Sequence, residues 1–172
     1  MRAQTVTETQ DAPELDFESF FCREHPRVFR LAFLLTGVRA EAADIAQEAM
    51  ARTLERWERV RGMDSPGGYA VRIAVHLHHR RLRRLRLRAR EEDAPRPASA
   101  ADPASVAASR SDVLRALLAL PEGQRSALVL TEWLGLDSAE AGRALGIRPS
   151  SVRARVHRAK AGFKEALGEG YD

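Results

Sequence analysis

The stretch SAEAGRALGIRPSSVRARVHRAKAGF, residues 138–163, carries two helical patterns divided by a single glycine. "SAEAGRAL" (138–145) reads as a short helix, and Gly146 after it is the residue best suited to a left-handed turn. Ile147 continues the apolar pattern across the turn, and Pro149 falls where a first helical position tolerates a missing N–H. Beyond it, Val152, Val156, Ala159, Phe163 and Leu167 cluster within a narrow arc. Ser150, Ala154, His157 and Ala161 therefore face outward, flanked by Arg153 and Lys164 on one side and by Arg158 on the other.

This order predicts a helix-turn-helix. Small residues between cations let a helix approach the major groove closely, and arginine can pair bidentately with guanine. The plainer alternative is a basic helix on an ordinary bundle, but the first helix, the glycine turn and the Ser/Arg helix agree in spacing. Upstream, Ser111 or Asp112 is placed to cap a helix running to about Leu120, and Pro121 starts another that holds Leu128, Val129, Leu130 and Trp133.

Further toward the N-terminus, "VRIAVHLHHRRLRRLRLRAR" (71–90) crowds eight arginines and three histidines into twenty positions. The whole chain has a net charge of only +4, so the positive charge is concentrated here. On a helix, Ala70, Ile73, Ala74, Leu77, Leu82 and Leu85 fall on one arc, and Arg72, His76, His79, Arg80, Arg83, Arg86 and Arg90 on the opposite one. A cationic stripe of this kind neutralises phosphates and releases counterions. A metal site at His76 and His79 has no accompanying acid or thiol in the run, and the arginines would repel a cation. A membrane-surface helix would want larger apolar groups than these alanines. A solvated charge run with no partner is the blandest alternative; nucleic acid is the favoured reading.

Between the two basic regions, "EEDAPRPASAADPASVAAS" (91–109), with Pro95, Pro97 and Pro103, has little to bury and reads as a linker. Before them, Phe17, Phe20, Phe21, Val28, Leu31 and Leu35 recur on one side of a helix ended by Gly37. A second helix from about Ala40 buries Ala42, Ile45, Ala46, Ala49, Met50, Thr53, Leu54 and Trp57. Its other face is a polar, mostly acidic ridge of Asp44, Glu48, Glu55 and Glu58, with Gln47 and Arg52 beside them. "MDSPGGY" (63–69) breaks the chain, and Tyr69 is expected to open the arginine helix.

No strand-like alternation runs over a useful length, so the 172 residues are expected to be all-α: two small helical domains joined by a flexible linker, the second containing the helix-turn-helix. The expected boundaries are a disordered tail at 1–15, a first domain at 16–90, a linker at 91–110 and a second domain at 111–172. The single Cys22 excludes an internal disulfide and a CxxC pair, and the N-terminal stretch lacks a secretory core. With no window apolar enough to span a bilayer, a cytoplasmic protein with no membrane partner is expected. No phosphate loop, paired carboxylates or nucleophile constellation suggests catalysis, so no catalytic residue, metal or cofactor is expected.

The order of these parts resembles the sigma factors of bacterial RNA polymerase, specifically the two-domain extracytoplasmic-function group. "LLTGVRAEAADIAQEAMARTLERW" looks like the family's polymerase-binding helix, and the stretch from "ALPEGQRSALVL" through "HRAKAGF" looks like the domain that reads the minus-thirty-five promoter element. The resemblance implies that Asp44, Gln47, Glu48 and Arg52 contact core RNA polymerase. It places Arg153, Ala154, His157 and Arg158 against base edges, with Arg148, Ser150, Ser151, Arg155 and Lys160 on phosphates. It assigns Arg72, His76, His79, Arg80 and Arg83 to the minus-ten side, where promoter DNA is captured and melted without nucleotide hydrolysis.

An anti-sigma factor is a further partner that the resemblance suggests. A helix-turn-helix regulator acting without polymerase is the first rival reading, and a His-dependent metalloenzyme the second. Two places depart from the family. His76 stands where an asparagine is common, and Arg80 where an aspartate often precedes the arginines. Ala141 replaces a larger aliphatic residue beside Gly142, which predicts a loosely packed first helix in the reader, since glycine costs about 1 kcal/mol against alanine there.

Overall fold

The computed structural model describes residues 16–91 and 108–168. The expected tail and most of the expected linker lie outside the described residues. Every regular element among the described residues is helical.

Helix α1, Phe17–Thr36, begins because Asp16 accepts the Ser19 N–H at 2.8 Å, satisfying one of the donors that a helix start leaves unpaired. It ends at Gly37, whose φ of +72° is a left-handed stop. Helix α2, Arg39–Leu54, packs antiparallel-fashion after this short turn, and α3, Trp57–Val60, follows a two-residue break. Trp57 therefore does not continue α2 as the periodicity predicts. It starts the next turn and lies edge-on to Phe17 and tilted against Phe20, with ring centroids 5.3 and 4.9 Å apart. Phe21, expected inside, is 37% exposed and stacks on His25.

Helix α4, Pro66–Glu91, starts earlier than expected: Pro66, Gly67 and Gly68 form its first turn rather than a break. Proline suits that position, and the Ser65 hydroxyl accepts the Gly68 N–H at 3.1 Å. Gly67 is needed for space, because a β-carbon there would sit 2.7 Å from Glu24 Oε2. The buried face is also rotated from the projected one. Ala70, Val71, Ala74, Val75 and His78 are buried, Ile73, Leu77 and Leu82 are half-buried, and Leu85 is 50% exposed. Two neighbours, α1 and α2, cover α4 from different sides, which a single-face projection does not anticipate. Together with Val28, Leu31, Leu35, Ile45 and Met50 these residues form the first core.

The second group contains α5, Ala108–Ala119; α6, Glu122–Leu128; a π-helical turn, Val129–Trp133; α7, Ser138–Leu145; and α8, Pro149–Leu167. Helix α8 packs on α5, α6 and α7, burying Val152 and Ala159. Trp133, expected in the apolar face, is 58% exposed because the π turn rotates the chain past the core before Gly135.

The two groups are packed together. Helix α4 lies against α7, and α1 touches α5, α6 and the π turn, so that buried residues of both groups form one continuous cluster.

Candidate nucleic-acid interface

The turn between α7 and α8 is built tightly. Asp137 accepts the N–H groups of Ala139 and Glu140, each at 2.7 Å, while Glu140 Oε2 accepts the Asp137 N–H at 2.9 Å. This reciprocal capping box fixes where α7 starts. These backbone donors, that of Glu140 above all, hold the Asp137 carboxyl below its usual range. Gly146 then turns the chain at φ +67°, and Pro149 occupies the first turn of α8.

The expectation of a loose α7 is overturned. Ala141 is fully buried, and a β-carbon on Gly142 would lie 2.8 Å from the Ile147 carbonyl oxygen and 3.5 Å from the Pro149 nitrogen. Small residues here let the turn fold directly back onto α7. The helical cost of glycine is set against this close approach of backbone.

On α8 the expected reading face is open: Ser150, Arg153, Ala154, His157, Arg158 and Lys160 are exposed, as is Arg148 just before the helix. Ser151 and Arg155 are half-buried. Arg155 lies across α6, where a β-carbon at Gly123 would come 2.9 Å from its Nη1. Lys160 pairs with Glu132 at 3.0 Å, an exposed contact that water screens heavily.

On α4, His76, Arg80 and Arg83 are exposed, and Arg80, Arg83, Arg84 and Arg86 form no ion pair with any described residue. Their charge is available to an outside polyanion. Arg72 is half-buried, its guanidinium 5.3 Å from the Tyr69 ring centroid. Partial burial, with the nearby His79 and Arg72, lowers the His76 pKa, so this imidazole is mainly neutral at neutral pH, the form in which one ring nitrogen can accept a hydrogen bond.

His79 belongs elsewhere. Its Nε2 is buried 2.7 Å from Glu122 Oε1, although the approach is too bent for a well-formed hydrogen bond. Beside it, His78 is 2% exposed with its Nε2 unpaired, 4.0 Å from the same oxygen. Burial pushes the His78 pKa down to about 4, against the pull of Glu122. Burial alone would raise Glu122, but the adjoining His79 and the Ser126 hydroxyl, which donates at 2.7 Å, bring it down to about 2. The sequence offered no sign of this cluster, since Glu122 stands over forty positions from the histidines.

The acidic ridge on α2 is also accessible. Asp44, Gln47 and Glu48 are exposed, and half-buried Arg52 pairs with Glu48 at 2.7 Å. Arg81 reaches across from α4 to Glu41 at 3.2 Å and to Asp44 at 3.9 Å.

This order of parts has relatives. The Sigma-70 region 2 family matches residues 20–88, and the family of Sigma-70, region 4 matches residues 110–161. The ECF RNA polymerase sigma factor SigE of Mycolicibacterium smegmatis is 33% identical over 158 residues, covering 86% of this chain and 60% of that protein. The chain thus spans less than two thirds of that relative's length. The RNA polymerase sigma-E factor of Streptomyces coelicolor is 30% identical over 157 residues, covering 89% and 86%. CarQ of Myxococcus xanthus, an RNA polymerase sigma factor, is 34% identical over 167 residues, covering 93% and 94%. In fold, the chain matches the sigma factor RpoE of Bartonella quintana, solved in complex with the anti-sigma factor NepR. The TM-score is 0.74 at 20% identity, over 90% of this chain and 98% of that one.

Proposed function

This chain belongs to the sigma-70 family of RNA polymerase sigma factors, in its extracytoplasmic-function group, and from that membership we propose how its surfaces divide the work of initiation. It binds core RNA polymerase and directs it to specific promoters. Residues 16–90 act as the unit for polymerase and the minus-ten element, and residues 111–172 as the unit for the minus-thirty-five element. Asp44, Gln47, Glu48 and Arg52 dock on the polymerase. Arg153, Ala154, His157 and Arg158 read base edges, while Arg148, Ser150, Ser151, Arg155 and Lys160 meet phosphates. Arg72, His76, Arg80 and Arg83 line the minus-ten strand, and the exposed His76 imidazole can stack on an unstacked base or accept a hydrogen bond from it.

The observation that carries this reading is that both family matches occur in one chain, each on a group whose expected contact face is open to solvent. A regulator acting without polymerase has no use for the first match. The chain itself contributes binding and no bond-breaking chemistry; melting draws on binding energy. Its place of action is the cytoplasm, where the polymerase and promoter are, and no described helix is long and apolar enough to cross a membrane. An anti-sigma factor is a further expected partner, as one was solved with the Bartonella relative.

Pull-down of core polymerase tests the assignment. Asp44→Ala with Glu48→Ala is expected to weaken capture by about tenfold or more, as for residues central to an interface, with the helical fold intact. Undiminished capture by the double variant would move the docking face elsewhere, and no capture by the unaltered chain would remove the sigma reading.

A further inference from the structure

We propose that the cleft between helix α1 and the π turn binds a purine nucleoside phosphate, with the base stacked on Trp133 and the phosphate held by arginines of α1. None of the cleft's residues belongs to the docking, minus-ten or minus-thirty-five surfaces assigned above.

The cleft has a volume of about 310 Å³, with Arg23, Glu24, Arg27 and Arg30 on one wall and Trp133 and Leu134 on the other. That volume stands at the lower end of the range for small-molecule sites and suits one nucleotide rather than two.

The α1 wall is cationic because of its spacing. Arg23, Arg27 and Arg30 stand at i, i+4 and i+7, so they share one face of the helix. Glu24 is the one acid among the lining residues. It pairs with Arg23 Nε at 3.0 Å and with Arg27 Nη1 at 3.5 Å. Arg30 forms no ion pair with any described residue; its Nε donates to the Pro26 carbonyl at 3.3 Å. Three guanidiniums against one carboxylate leave a surplus of two positive charges, which matches the charge of about −1.5 to −2 on a phosphate monoester at neutral pH. Guanidinium forks also fit phosphate oxygens in geometry.

Glu24 orients this wall rather than cancelling it. Its side chain is 10% exposed, and its Oε2 lies 2.7 Å from where a β-carbon on Gly67 would be, so the first turn of α4 backs it. Arg27 also donates to the Leu134 carbonyl at 3.4 Å, which ties the two walls together. Guanidiniums held in this way lose less freedom when an anion arrives, and that preorganisation adds to affinity.

The opposite wall supplies an aromatic face. Trp133 is 58% exposed, and its ring makes no hydrogen bond, ring contact or cation–π contact with any described residue. Indole stacks on nucleic bases, and the two-ring purines cover more of it than pyrimidines do. A bare anion would use the arginines and leave the indole idle, and an apolar ligand would do the reverse. A nucleotide uses both walls at once.

The test is isothermal titration of the full chain with guanosine 5′-monophosphate and adenosine 5′-monophosphate, beside guanosine, adenosine and inorganic phosphate as partial ligands. At least one nucleotide should bind one-to-one, about tenfold or more tighter than its partial ligands. Trp133→Leu and Arg30→Ala, both at exposed positions and each checked by circular dichroism, should each weaken binding by about tenfold. Arg115→Ala removes an exposed arginine outside the cleft and should leave binding unchanged. No nucleotide binding, equal binding of inorganic phosphate, or an equal loss with Arg115→Ala would overturn the proposal. A single-stranded DNA oligomer that binds more tightly and depends on the same two residues would overturn it as well, by making the cleft a nucleic-acid contact. Capture of core polymerase by the same variants keeps the two ideas apart: it should be undiminished, and its failure in the unaltered chain would remove the sigma reading while leaving the nucleotide site standing.

Discussion

Helices α4 and α8 are both long and basic, yet they are mounted differently. Helix α8 rests on α5, α6 and α7 along Val152, Val156, Ala159 and Phe163, with its entry fixed by the Gly146 turn. Helix α4 rests on α1 and α2 only in its first half. By Leu85 and Leu87, 50% and 52% exposed, it has left the core, while Arg83, Arg84 and Arg86 form no ion pair with any described residue. A helix held on several sides can aim side chains at base edges, whereas a projecting helix end supplies charge with less positional control. On the proposed reading, base recognition upstream falls to α8 and most of the electrostatic affinity to α4.

Removing cations from each helix separately should give different losses. Arg153→Ala with Arg158→Ala should cost about 1–3 kcal/mol per lost base contact, with the loss confined to fragments carrying the cognate upstream element. Arg80→Ala, Arg83→Ala and Arg86→Ala together should weaken binding to all sequences alike, and reduce the slope of log affinity against log salt by about 2–3. Footprinting and salt titration of the holoenzyme read the two effects. A salt slope unchanged by the α4 substitutions would mean that its stripe does not meet phosphate.

A smaller effect is expected inside the reader. Gly142→Ala raises intrinsic helix propensity, which taken alone predicts stabilisation of about 1 kcal/mol. The β-carbon would meet the Ile147 carbonyl oxygen at 2.8 Å, and that oxygen belongs to backbone rather than to a flexible side chain. Destabilisation of about 1–3 kcal/mol, as for other overpacked sites, is the expected outcome in thermal or urea unfolding. A stabilised variant would show that the turn can move and that α8 is held less firmly than its packing on α5, α6 and α7 implies.

Much of this arrangement was legible in the residues themselves. Gly146, Pro149 and the arc from Val152 to Leu167 announce α7, its turn and α8, because positive φ, a missing N–H and helical periodicity are local properties. The accessible faces of α2 and α8 followed from the same periodicity. What escaped the sequence depends on contacts between distant segments. The first turn of α4 brings Gly67 against Glu24 of another helix, Gly142 is explained only by the folded turn, and buried His78 sits in an arginine run that looks uniformly solvated. The cluster of His78, His79 and Glu122 lay wholly beyond it, since nothing in either segment specifies the other.

The two groups also share one device, and it gives the smallest effect. Asp16 caps α1 through the Ser19 N–H at 2.8 Å, as Asp137 caps α7, and the backbone donors hold both carboxyls below their ordinary value. Asp16→Ala and Asp137→Ala should each lower the melting temperature modestly. Because each carboxyl is held down in the folded chain, its contribution is complete above the unfolded carboxylate range and fades as pH falls through the lower folded value. The difference between substituted and unaltered chains should therefore shrink in acid. Where the melting moves matters more than how far. If the groups unfold as one cooperative unit, both substitutions shift a single transition; if the contacts between them are weak, each shifts only the transition of its own group. A single transition that divides in two on Glu122→Gln would place the coupling in the contact of Glu122 with His78 and His79, because that substitution alters neither cap.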